Sequence, residues 1–113
     1  MSGARFIPRE GDGPLRLEGE MDMDGATALW RASGAHLPCS GHLRIDLSGV
    51  SRADSAGVAL LVAWTRQQRD HGGTLEFVSI PAQMRAIAAV SGVEEILPLG
   101  APEPARGAEP LQE

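Results

Sequence analysis

The sequence predicts an α/β fold, and three observations carry that prediction. Short runs alternate apolar and polar residues, as a strand with one buried face requires. Longer runs between them place apolar residues at helical spacing. Glycine, proline and aspartate collect at the junctions. Strands that alternate with helices pair in parallel through crossover helices.

The elements follow in order. Arg5–Pro8 and Leu15–Leu17 read as two short strands around the turn Gly11-Asp12-Gly13-Pro14. Pro8 restricts the first to a sheet edge. A helix is predicted over Gly25–Gly34, with Ala26, Leu29, Trp30 and Ser33 at helical spacing and Asp22 or Asp24 as N-cap. His36–Gly41 is a loop containing Pro38. Leu43–Leu47 is the clearest strand, with Leu43, Ile45 and Leu47 alternating with Arg44 and Asp46. A tight polar turn, Ser51-Arg52-Ala53-Asp54, leads into a helix over Ser55–His71 that stops at Gly72-Gly73. Thr74–Ile80 is a strand. Pro81 fits the first turn of a third helix, with Met84, Ile87 and Ala88 on one face and Gly92 as its stop. Val93–Leu97 is expected to add a last short strand. One domain is expected over residues 1–100, with Ala101–Glu113 as a flexible tail rich in Pro, Gly, Glu and Ala.

Composition excludes several functions. A net charge of −5 with dispersed arginines lacks the basic face that nucleic acid requires. All ten basic residues are arginine, so no phosphate-binding, Schiff-base or kinase lysine is present. The single cysteine, Cys39, makes no intrachain disulfide and lacks an activating base. His36, His42 and His71 have no metal-ligand spacing. No secretory leader or membrane-spanning run is read, which implies a cytoplasmic chain without direct membrane insertion. No nucleophile, base and oxyanion donor assemble in the sequence, so neither catalysis nor a cofactor or metal is expected.

The chemistry concentrates at Asp54-Ser55-Ala56-Gly57. This segment presents one hydroxyl at the positive end of a helix, where unpaired N–H groups favour negative charge. Ser55 there serves as helix cap, phosphate carrier or partner contact. Asp54 serves equally well as the cap. The helix that follows is apolar from Ala56 to Trp64. A one-sided stripe such as Val58, Leu61, Val62 and Thr65 is enough to anchor it, which leaves Ala59, Leu60, Ala63 and Trp64 to be explained. Packing against a neighbouring helix accounts for Leu60.

Gly19-Glu20-Met21-Asp22, the run Leu43–Val50 and the turn Ser51–Gly57 occur in one order ahead of an apolar helix. Together they resemble the STAS family over about Leu15–Leu97. Within it, the MlaB-like branch is the nearest likeness: Leu29-Trp30 after Gly19–Asp24, and Asp46–Asp54 before the Ala/Leu-rich helix. The resemblance implies the STAS fold, a small mixed sheet with crossover helices. It also implies a non-catalytic adaptor. This adaptor would bind and regulate the ATPase (MlaF-like) of an ABC transporter for phospholipid trafficking that maintains outer-membrane lipid asymmetry, and through it the membrane permease. The chain would then be peripheral to the inner membrane. MlaB-like members carry threonine and glycine where Ser55 and Ala56 stand. Serine is the phosphoacceptor of sigma-regulatory members, so the resemblance also implies an alternative: an anti-sigma-factor antagonist switched by phosphorylation of Ser55.

On this resemblance the partner surface comprises Asp22, Trp30, Arg52, Asp54, Ser55, Ala56, Ala59 and Trp64. Asp22 is a cap whose loop lies beside the serine turn in the family fold. Arg52 is solvated or pairs with an acidic partner. Trp30 and Trp64 replace the polar residues of sigma-regulatory members and read as surface anchors. Ala59 and Ala63, one turn apart, leave room for another backbone.

Overall fold

The structure is a computed structural model and describes residues 3–7, 11, 13–35, 37 and 41–99. Its centre is a long strand, β3, at His42–Ala53. Strand β2, Leu15–Met21, pairs with it in parallel on one side, and β4, Thr74–Val78, in parallel on the other. Strand β1, Arg5–Ile7, joins β2 antiparallel at the edge, so the sheet is mixed, in the order β1-β2-β3-β4. Helix α1, Met23–Ala32, crosses from β2 to β3, and α2, Ser55–Asp70, from β3 to β4. Helix α3, Ala82–Ser91, follows β4.

Strand parity sets the core. Leu15 and Leu17 of β2, Leu43, Ile45 and Leu47 of β3, and Leu75 and Phe77 of β4 share one sheet face. The helices bury Leu29, Leu61, Trp64, Met84 and Ala88 in the same cluster. The alternate residues form cross-strand ion pairs on the opposite face: Arg5 with Glu18 at 2.7 Å, Arg16 with Asp46 at 3.5 Å, and Arg44 with Glu76 at 3.4 Å. Pairs of this kind between directly opposed residues help fix the register.

Several expectations are corrected. Strand β2 runs on to Met21, and β3 to Ala53, so Ser51-Arg52-Ala53 is strand and not turn. The two extensions hold each other: Glu20 stands opposite Arg52 and Met21 opposite Ala53. Helix α1 begins at Met23 with Asp22, not Asp24, as its cap. Strand β4 ends at Val78, and the next residue, Ser79, takes a left-handed φ of 58° that leaves the sheet. Pro81 is the N-cap of α3, and Gly92 closes that helix in the left-handed conformation, as read. Val93–Leu97 forms no strand. Its backbone closes turns, with Ile96 N donating to Val93 O, and the chain then touches the sheet through one bridge, Leu99 beside Phe77. Pro8, Asp12, His36, Pro38, Cys39 and the tail Ala101–Glu113 lie outside the described residues.

Candidate partner-binding surface

Both crossover helices start at the same end of the sheet. Asp22 and Asp54 each follow the last residue of a strand, and those last residues, Met21 and Ala53, are paired neighbours. Asp22 Oδ1 accepts from Gly25 N at 2.8 Å, and Asp54 Oδ1 accepts from Ala56 N at 2.8 Å. Each aspartate thereby satisfies one free N–H of its helix and opposes the positive helix end. The cap of α2 is therefore Asp54. The Ser55 hydroxyl is left exposed and outside the capping bonds.

A pattern that the sequence reading passed over explains how the two helix ends come together. Each cap is followed at the third position by glycine, in Asp22-Met23-Asp24-Gly25 and Asp54-Ser55-Ala56-Gly57. A Cβ on Gly25 would collide with Glu20 O. One on Gly57 would stand 2.7 Å from Met21 O. Only glycine lets the first turns of α1 and α2 press onto the end of β2. The repeated Asp-x-x-Gly after each strand is the signal that identifies both positions.

Below these caps, α1 and α2 leave an open apolar groove. It is lined by Met23, Ala26, Thr27 and Trp30 of α1 and by Ala56 and Ala59 of α2. Met23 is 69% exposed and Trp30 44%. Of the residues singled out in the sequence, Trp30, Ala56 and Ala59 line this groove, while Asp22, Asp54 and Ser55 stand where its two helices begin. Arg52 is exposed at the end of β3, opposite Glu20.

Trp64 does not join them. It is 0% exposed, and its ring lies 5.7 Å from that of Phe6 on β1. Helix α2 buries Gly57, Val58, Leu60, Leu61, Trp64 and Gln68; Val58 and Leu61 of the expected stripe are among them, whereas Val62 and Thr65 are only half-buried. Trp64 is a core residue and not a docking anchor. Gln68, also missed, is fully buried, and its Nε2 donates to Gly41 O at 3.1 Å and Thr74 O at 3.0 Å. Among the described residues, no three His, Cys, Asp or Glu side chains converge to hold a metal ion. No helix among them is long and apolar enough to cross a membrane.

These features define the class. Solved structures that share the fold include the following two. An anti-sigma factor antagonist from Mycobacterium paratuberculosis superposes with a TM-score of 0.68 at 28% identity, over 88% of this chain and 85% of that one. A murine anion transporter, Solute Carrier 26 family member A9, superposes with a TM-score of 0.63 at 18% identity, over 84% of this chain but only 17% of the transporter. The second likeness is one of fold alone. No curated protein matches the sequence. The family model described as "Mlab, STAS domain" matches residues 8–98, and the chain belongs to that family.

Proposed function

We propose that this chain is a non-catalytic adaptor that binds the ATPase subunit of a phospholipid-transporting ABC complex at the cytoplasmic side of the inner membrane. Its membership in the MlaB-type STAS family supports that partner. The observation that carries the reading is the groove: exposed Trp30 and Met23 stand over an alanine floor beside the Ser55 turn. An indole exposed beside small residues is what a lasting protein contact uses. Such an adaptor raises ATPase activity only by binding the competent ATPase conformation more tightly than the other. Co-expression with the cognate ATPase should yield a complex that survives size exclusion and changes ATP turnover. A chain that elutes alone would sink the proposal.

The second reading is an anti-sigma-factor antagonist released by phosphorylation of Ser55. The free, exposed Ser55 hydroxyl favours it, as does the likeness to the mycobacterial antagonist. Against it, a phosphate on Ser55 would sit beside Asp54 and near Asp22, which repel it. Incubation with a cognate serine kinase and ATP, followed by intact-mass measurement, separates the two. Stoichiometric phosphate on Ser55 with loss of partner binding would decide for the antagonist.

A further inference from the structure

Helix α3 is apolar on both of its sides. Besides the terminal Ser91, its polar side chains are Gln83 and Arg85 alone. Met84 and Ala88 are buried against the core, and Ile87 is half-buried beside them. Ala82, Ala86, Ala89 and Val90 make up the outward face and are exposed. Val90, at 89%, is the most open large apolar side chain among the described residues. It stands beside a shallow groove that Ala86, Ile87 and Ser91 also line. A helix without a polar face is one that is covered on both sides. Gln83 is turned to Ala53 N. Arg85 lies about 100° round the helix from Ala86, at the flank of the open face, with Glu94 at 3.9 Å.

We infer that this face is covered by the same helix of a second copy of the chain, packed antiparallel across a two-fold axis near Ala86. The patch carries both halves of such a contact. Val90 is a knob and the groove beside it a hole, so the surface fits a copy of itself, as a two-fold interface requires. Ala82, Ala86 and Ala89 are small enough for the two helices to pack closely. Charge complementarity selects the direction. Antiparallel pairing puts the Arg85 flanks of both copies on one side, where Arg85 of each meets Glu94 of the other. Within one chain that pair is loose and about half exposed on both partners. An apolar centre with a charged rim is the pattern of a protein interface. Ten residues of helix fall short of the ~800 Å² per partner of a standard interface, so the dimer is weak and reversible. The face is separate from the groove between α1 and α2, and the inference does not depend on the adaptor reading.

Sedimentation velocity on the whole chain tests this, from roughly 10 μM to 1 mM, the range expected of a small interface. The average mass should rise with concentration from 11.9 kDa toward twice that value. Val90→Arg, at a position too exposed to serve the core, should keep the monomer mass throughout. Trp30→Ala, on the other exposed apolar surface, should associate as wild type does. Arg85→Glu and Glu94→Arg should each self-associate about tenfold more weakly, because each makes all the flank charges alike. An equimolar mixture of these two variants should recover association, which ion pairing inside one chain cannot produce. A wild-type mass that stays at 11.9 kDa up to the highest concentration overturns the dimer. Undiminished association of Val90→Arg, or its loss in Trp30→Ala, overturns α3 as the contact. A mixture that associates no better than either variant alone overturns the antiparallel arrangement.

Discussion

The backbone N–H of Ala53 donates to Gln83 Oε1 at 3.1 Å. A side chain at the start of α3 thus secures the last residue of β3, immediately before the Asp54-Ser55 turn. The candidate surface is supported from behind by an element that contributes nothing to its groove. Gln83→Ala should cost about 1 kcal/mol of stability by leaving this partly buried donor unpaired. Chemical denaturation measures the loss. In NMR spectra, the amide shifts of Ala53 to Ser55 should move more than those of β1. Unmoved amides at the turn would show that the bond does not hold it.

The two tryptophans should separate cleanly. Trp64→Ala should destabilise the fold by about 3–5 kcal/mol, as expected for removing an aromatic side chain from a packed core. Trp30→Ala should change the urea midpoint little and weaken ATPase binding by about 2 kcal/mol. A stability loss at Trp30 that matches Trp64 would remove it from the candidate surface.

Gly57→Ala should destabilise by about 1–3 kcal/mol, the usual range for forcing an extra methyl into a close-packed site. The added Cβ would stand 2.7 Å from Met21 O and 2.9 Å from Met21 Cβ. Thermal unfolding reads the change. A neutral result would mean that α2 can shift away from β2 without penalty.

At Ser55, the adaptor reading gives a graded expectation. Ser55→Thr should keep the complex, since threonine stands at this turn in MlaB-like relatives. Ser55→Asp should impair it, by placing a second carboxylate against Asp54 in a contact that closes over both. Pull-down of the ATPase with each variant provides the comparison. Equal capture by both would place Ser55 outside the contact.

The order of the elements was legible because period and parity are local properties. Leu43, Ile45 and Leu47 mark β3 with no knowledge of what covers them. The length of β3 was not legible. Ser51 and Arg52 are polar and exposed, and they are strand only because β2 runs beside them to Met21. Trp64 was misread for a related reason. Helix α2 is apolar on more than one face, and which face meets solvent depends on Phe6, from an edge strand that Pro8 made look marginal. The groove was legible in part. Trp30, Ala56 and Ala59 were singled out by residue type, but Met23 completes their wall only once α1 and α2 are packed side by side. The glycines that allow this packing looked like ordinary helix-start residues, because the carbonyls they accommodate come from elsewhere in the chain.

The contrast between Trp30 and Trp64 has a practical consequence. The chain has no tyrosine, so its intrinsic ultraviolet emission arises from two indoles. One is shut off from solvent and the other stands open at the groove. Acrylamide should therefore quench the folded protein through Trp30 alone, while a blue-shifted, quencher-resistant component from Trp64 persists until the core opens. A spectrometer can thus follow occupancy of the groove and integrity of the fold in a single cuvette, on unlabelled protein, from two residues the chain already carries.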